Sequence, residues 1–480
     1  MRRELLLLLL IIGLLCGHMA SYGLCVQDDA YISFRYADNL VQGHGLVYNP
    51  GEHVEGYTNF LWTLLIAAAM AAGASPLWAS VVGGVLSTVA LAVGAWALAV
   101  ALLPAEQRPL ALLAAAFVAL DAGITLEGMQ GLETSFYAAL LCVGLALSVR
   151  DRQLGAAGLF ALAALTRPEG VMVFGVIELV RLARRRRIDR TTALSWARVG
   201  GVVLGHLCFR LAYYGQPLPN TFYAKVGTES AQVLRGVRYL LAFGYYHVVL
   251  IALAAIGAAT VARRPRLGAG APAVAVVVAY SLYVAAVGGD FKETFRFIVP
   301  IFGPLAALAA AAVGRLAGGR LLLGGLLAFA TAAAVDASRQ VPMSVDAAAY
   351  RRADMSQRLL VGRWLAATAD PDTVLAIHSA GTIPYASRLV TIDMWGLTDP
   401  NIARREISDL GSGTAGHEKT DYAYTFSRQP DLYLPEDGLL TAEPVRLPIP
   451  VDFPADFEDR YAQQSVQLAE GAWVNLFRRQ

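Results

Sequence analysis

Charge is what this chain has least of. Asp, Glu, Lys and Arg make up 16% of its 480 residues, against 56% hydrophobic. A mean hydropathy of +0.50 excludes an ordinary soluble globular domain. The net charge of +2 leaves no basic excess to attract nucleic acid, so no such partner is expected. Cysteine is scarce too. Cys16, Cys25, Cys142 and Cys208 lie in or beside apolar segments. Their spacing fits neither a zinc site nor a disulfide framework, so they read as packing residues. HExxH, Walker A and dinucleotide fingerprints are absent, which removes the chemistries that depend on them. No internal repeat is found, and that counts against a transporter built on inverted halves.

What fills the chain instead is apolar runs of spanning length. Residues 4–25 are almost wholly apolar and long enough to cross a bilayer. A cleaved signal peptide is the alternative. The run is longer than a usual signal core and lacks a small-x-small site before Asp28, so an uncleaved first span is expected. Arg2 and Arg3 then place the N-terminus in the cytoplasm. Further candidate spans are 77–103, 110–126, 134–149, 154–167, 169–183, 193–212, 244–262, 270–288, 296–316 and 320–337. The stretch 57–73 decides the sidedness of everything after it. If it crosses, the basic clusters Arg184 to Arg187, Arg263 with Arg264 and Arg266, and Arg150 with Arg152 all face outward. If it stays in the interface, all three face the cytoplasm, as the positive-inside bias requires. The expectation is therefore a mostly α polytopic membrane bundle over residues 1–337, with about eleven spans plus juxtamembrane helices.

After residue 337 the composition changes. Residues 338–480 hold most of the acids and many prolines, with no spanning run. Apolar runs at 373–377 and 389–392 read as buried strands, and 344–369 and 401–408 as helices. A C-terminal extracytoplasmic α/β domain of about 140 residues is expected.

In this topology the polar motifs collect on the outer face. Asp28 and Asp29 stand where the first span ends. Adjacent carboxylates at a membrane surface repel and need hydration or cationic partners, so a purely structural anchor is a poor explanation. A general base is a better one. Glu55, Tyr57 and Asn59 lie in the same loop, and Glu133, Asn220, Tyr223 and Asp290 lie in later outer segments. These seven are candidates for substrate binding. Arg167, Lys225 and Arg296 are outer cations that break the positive-inside bias. Each alone is explained by a local salt bridge. Together, on one face, they suit a lipid-linked phosphate, which needs charge-assisted donors. His378 and His417, with Asp393 and Asp399, either mark a substrate-facing surface or are satisfied structural groups.

The segments 28–36, 45–52, 54–62, 131–134, 165–170, 217–225, 288–291 and 296–297, with 381–385, 392–400 and 416–419 in the C-terminal part, resemble one family. It is that of the mycobacterial terminal β-arabinofuranosyltransferase and its bacterial relatives, integral-membrane glycosyltransferases of the GT-C class. The resemblance covers nearly the whole chain. It implies a polyprenyl-phosphate sugar donor, a glycan or lipid acceptor, action at the outer face of the plasma membrane, and inversion at the anomeric carbon. It places the general base at Asp28 or Asp29, with the other free to hold the acceptor or a divalent ion. The donor sugar, arabinofuranose in the named relative, does not follow from the motifs. Two rival classes stand beside this reading: a transporter or flippase of lipid-linked sugar, and a non-catalytic sugar-binding scaffold resting on the C-terminal domain.

Overall fold

A computed structural model describes residues 2–227, 230–262, 270–316, 321–408, 410–436 and 439–480. The chain is mostly helical. α1 (Arg2–Ser21) leads to α2 (Asp28–Val41), α3 (Phe60–Ala71) and α4 (Pro76–Leu102). A 3-10 turn (Ala105–Ala111) precedes α5 (Leu112–Leu120) and α6 (Ala122–Glu127). Then come α7 (Thr134–Val149), α8 (Gln153–Thr166), α9 (Glu169–Arg185), α10 (Arg190–Tyr214) and the short α11 (Asn220–Lys225). The bundle closes with α12 (Ser230–Tyr246), α13 (Val248–Ala262), α14 (Ala271–Val287), α15 (Val299–Leu316) and α16 (Leu321–Thr368).

Among the described residues, α1, α4 and α10 are long and apolar enough to cross a membrane. The α12–α13 pair passes the same test only when joined across its 96° bend. The helices α3, α7, α8, α14 and α15 are apolar but shorter. The about eleven spans expected from sequence thus resolve into a few full-length helices and several short ones. Two of the short ones, α7 and α15, are buried at the centre, where α7 packs on α4 and α15 packs on α4, α7 and α13. Ala306 to Val313 is wholly buried there. Small side chains let these helices approach closely, which replaces the hydrophobic drive that lipid removes.

Several expected elements change form. The candidate span 110–126 is broken at Asp121, whose carboxylate accepts from the Ile124 N–H and starts α6 anew. The candidate 244–262 begins at Val248, preceded by α12, which the sequence reading did not identify. Residues 320–337 and 344–369 are one helix over the described residues, the 48-residue α16, which runs through Pro342. The drop in hydropathy after 337 marks a change of surroundings and not the end of a helix, so the domain boundary expected at 337/338 falls inside α16. Helix 401–408 shrinks to α18 (Pro400–Ala403), because Lys419 Nζ takes the Ala403 carbonyl at 2.8 Å and the chain turns away. The basic cluster Arg263, Arg264 and Arg266 lies outside the described residues.

The C-terminal part carries a five-stranded sheet in the order β2-β1-β3-β5-β4. β1 (Val374–Ile377) runs parallel to β2 (Val390–Asp393) and β3 (Leu432–Leu434). β4 (Tyr461–Ala469) and β5 (Ala472–Arg479) form an antiparallel hairpin, with β5 pairing β3. One face buries Val361 and Leu365 of α16; the other packs an aromatic cluster around Phe426, Tyr433 and Phe457. The strands expected at 373–377 and 389–392 are β1 and β2.

Candidate active site

α2 begins at the aspartate pair, and acids in a first turn suit the positive end of the helix dipole. Successive residues on a helix point about 100° apart, and here that step separates the pair. Asp28 turns to the N-terminus of α17 (Thr382–Ser387). Its Oδ1 accepts from the Thr382 N–H at 2.7 Å and its Oδ2 from the Gly381 N–H at 3.1 Å. A Cβ at Gly381 would fall on the Asp28 backbone carbonyl, so only glycine permits this approach. Burial pushes the Asp28 carboxyl above its ordinary value, against Arg358 and the Thr382 N–H. It ties the first loop to the sheet domain.

Asp29 points the other way, 36% exposed. Its Oδ2 accepts from Lys292 Nζ at 3.0 Å and from the Arg296 guanidinium at 3.3 Å. Burial opposes its charge, but Lys292, then Arg296 and Lys225, outweigh that and hold the carboxyl far below the usual range. Arg296 also donates to Asp290 at 2.8 Å, and Lys292 donates to Gln27. Lys225, at the end of α11, is exposed and makes no ion pair among the described residues; its stem lies across Gly416. Three cations therefore surround two carboxylates, leaving one positive charge in excess.

The Asp29 carboxylate faces a cavity of about 520 Å³. One wall is Gln27 to Asp29 with Phe291 to Glu293. A second is a single face of α16, from Met343 through Ala347, Arg351 and Asp354 to Arg358. The third comes from the sheet domain: Ser379, Ala380, Trp395, Leu397, His417 and Glu436.

Other expected site residues lie elsewhere. Arg167 holds Glu133 and Glu169, both at 3.0 Å, and the three side chains are at most 12% exposed. Asn59 Nδ2 donates to the same Glu133 at 2.9 Å. Arg167 and Glu133 do not line the cavity. Glu55 is buried and paired with Arg210 at 2.6 Å. Tyr57 shares a 3.0 Å hydrogen bond with Tyr214. Asn220 donates to the Gly396 and Leu397 carbonyls at 2.9 and 3.1 Å. Tyr223 lies under the Arg404 guanidinium. Glu55 and Asn220 border a separate cavity of about 140 Å³ with Arg404. So the structure gathers Asp28, Asp29, Asp290, Lys225 and Arg296, and it spends Glu55, Tyr57, Asn59, Glu133, Asn220 and Arg167 on internal ties. Asp393 and Asp399 are likewise buried caps, whereas His417 reaches the cavity. No three His, Cys, Asp or Glu groups converge on a metal position among the described residues. Asp29 and Asp290 already hold cations there.

Sequence reasoning missed Lys292, though in the expected topology it falls on the same face as the other three and breaks the same charge bias. It also missed the cavity face of α16, whose signal is the spacing 343, 347, 351, 354, 358.

Comparison with known proteins bears on the fold. Residues 348–477 match a family described as a domain of unknown function, DUF8728. The terminal β-(1→2)-arabinofuranosyltransferase of Mycobacterium tuberculosis is 27% identical over 327 residues, 58% of this chain. The chain spans about half the length of that relative, 51% of which is matched. Among solved structures, ArnT from Cupriavidus metallidurans superposes in its apo state with a TM-score of 0.61 at 13% identity, over 98% of this chain and 97% of that one. The same protein bound to undecaprenyl phosphate gives 0.59 at 12% identity, with the same coverage. The Archaeoglobus fulgidus oligosaccharyltransferase gives 0.54 at 12% identity, over 81% of this chain and 64% of that one. The resemblance read from the motifs is thus matched by an overall fold, one that the chain shares with ArnT and the Archaeoglobus fulgidus oligosaccharyltransferase.

Proposed function

We propose that the chain is an inverting glycosyltransferase. It moves a sugar from a polyprenyl-phosphate carrier to a hydroxyl of an extracytoplasmic glycan or lipid. The observation that carries this is Asp29: a carboxylate at the head of α2, facing a large cavity, bracketed by Lys292, Arg296 and Lys225. The named relative and the undecaprenyl phosphate bound by ArnT point to the same donor class.

The chemistry follows from those charges. The acceptor oxygen attacks the anomeric carbon as the bond from that carbon to the phosphate oxygen breaks. The bonding pair leaves on the phosphate, and the acceptor proton passes to Asp29. Attack opposite the leaving group inverts the centre. In the empty site Asp29 is too weak a base, because Lys292 and Arg296 stabilise its charge. A donor phosphate competes for the same cations, and each contact it takes raises the basicity of Asp29 toward what general-base catalysis needs. The phosphate-binding role expected of Arg167 passes to Lys292, because the single charge of Arg167 is already shared between two buried carboxylates.

Sidedness is part of the proposal. Arg185 joins Asp151 and Asp189 at one end of α9, while Glu169 and Arg167 mark the other, about 25 Å away along the helix. Phe297 lies under both the Arg167 and the Arg296 guanidinium, so the basic run Arg184 to Arg187 and the site lie at opposite ends of α9, which suits a cytoplasmic N-terminus and an external sheet domain at the plasma membrane. One feature favours the flippase reading: two broken helices meet where His247, at the α12–α13 bend, bonds Asp121, at the α5–α6 break, at 3.0 Å. The test is purified protein in nanodiscs with a panel of synthetic polyprenyl-phosphate pentoses and hexoses, arabinofuranose first, reading release of polyprenyl phosphate. Acceptor-dependent release, abolished by Asp29→Asn, is expected. Donor movement between leaflets with no release would replace the enzyme with a transporter.

A further inference from the structure

The three parallel strands β2, β1 and β3 all end at the large cavity. His378 to Ala380 leave β1, Trp395 to Leu397 leave β2, and Glu436 follows β3. In open α/β sheets the carboxyl ends of parallel strands are where ligands bind. Here that edge is built with unusual care. Asp393, the last residue of β2, is fully buried. Its carboxylate accepts from the Trp395 N–H at 3.0 Å, the Thr398 N–H at 2.8 Å and the Thr398 hydroxyl at 3.2 Å. Gly396, at φ +74°, completes a turn that most side chains would strain. A buried carboxylate and a left-handed glycine together fix the position of one residue, Trp395.

Trp395 is stacked on His417, with ring centroids 3.9 Å apart and planes 18° apart. Phe291, from the loop that carries Lys292, packs on His417 at 4.9 Å. All three line the cavity that Asp29 faces. Burial holds the His417 imidazole down to about 4, with Lys225 and Lys292 adding to the effect, so the stack is uncharged at neutral pH. A flat, neutral, rigid aromatic surface beside a carboxylate and a phosphate-sized cation cluster matches the apolar C–H face of a sugar ring, with hydroxyls left to the polar rim.

We propose that Trp395, backed by His417 and pinned by Asp393, is the floor of a sugar-ring subsite in this cavity, supplied by the strand ends of the C-terminal domain. The ring belongs either to the donor or to the acceptor. The proposal rests on the glycosyltransferase reading only in taking the ligand to be a sugar.

The test uses the full chain in nanodiscs, with methyl α- and β-arabinofuranosides and methyl glucopyranosides as probes in saturation-transfer NMR. Ring C–H saturation is expected in the wild type. It should fall about five- to tenfold in Trp395→Ala and persist in Trp395→Phe. Thermal unfolding of the same samples separates loss of the plate from loss of the fold. Equal saturation in wild type and Trp395→Ala overturns the subsite, as does absence of saturation for every probe. In turnover, the apparent KM should rise for the donor alone or the acceptor alone, which names the ring. Turnover with both KM values unchanged in Trp395→Ala removes the subsite and leaves the enzyme. Trp395-dependent saturation without turnover of any donor removes the enzyme and leaves the subsite.

Discussion

Two adjacent aspartates divide two tasks because a helix turns about 100° per residue. Asp28 holds the α17 N–H groups and Asp29 faces the cavity cations. Asp29→Asn should lower turnover by about 10²- to 10⁴-fold, and it should lower the unfolding temperature as well, because the ion pairs with Lys292 and Arg296 are lost. Asp28→Asn should lower the unfolding temperature, since a charged hydrogen-bond acceptor is worth about 1.5–3 kcal/mol, and retain measurable turnover. Equal loss of turnover in both, at unchanged stability, would dissolve the division. The cations divide likewise. Lys292→Met should weaken donor use by roughly 10- to 150-fold. Arg167→Ala should instead destabilise the fold by about 3–5 kcal/mol, because it leaves Glu133 and Glu169 buried without a counter-charge. Unfolding and donor KM, measured on both variants, discriminate. The pair and the cations Arg167, Lys225 and Arg296 were legible in the sequence because they break the composition of their surroundings. The roles were not, because a role depends on which partner lies within hydrogen-bond reach, and the partners of Asp28 and Asp29 come from segments more than 200 residues away.

The pH response also belongs to single residues. Burial raises Asp393 to about 6 from 3.8. Folded protein therefore binds this proton more tightly than unfolded, and the contribution of Asp393 falls as pH rises through that window. His417 is lowered to about 4 from 6.5, so the unfolded chain binds its proton more tightly, and its contribution falls as pH drops from 6.5 to 4. The two slopes oppose one another. Between pH 7 and pH 4.5 the wild type should lose stability relative to His417→Asn, because only its unfolded state takes up a proton at position 417. Parallel unfolding curves for the two proteins at both pH values would contradict this.

At the scale of elements, α16 carries the site wall. Its 48 residues extend about 72 Å, and its face from Met343 to Arg358 lines the cavity. One alanine inserted after Ser338 turns everything beyond it by about 100°. Asp28 then loses Thr382, and turnover should fall by about 10²-fold or more. The same insertion at Gly471, in the exposed hairpin turn of β4 and β5, should leave turnover within about twofold. Turnover assays of the two insertions test whether the phase of α16 sets the site. Long uninterrupted apolar runs such as α4, α7 and α14 were legible in the sequence almost to the residue. The join that makes α16 one helix was not, because Ser338, Arg339, Gln340 and Pro342 interrupt the apolar run without breaking the helix. The breaks at Asp121 and His247 were not either, because a hydropathy window averages across a single polar residue.

For the whole molecule, the site exists only where bundle and sheet domain meet. Arg35 of α2 donates to the Pro384 and Leu389 carbonyls at 2.7 Å, and Tyr48 donates to the Ala380 carbonyl at 2.6 Å. Nothing in the local sequence announces those contacts, which join positions over 300 residues apart. They bear on modularity. A seam at residue 337 divides the chain neatly by composition, yet it cuts a continuous helix, and the family match that begins at 348 starts inside the same helix. A graft of the C-terminal part onto another bundle inherits its outlook only if α16 comes whole, with its phase intact. Any exchange of this part between proteins would have to move the rod and its cavity face as one inheritable unit.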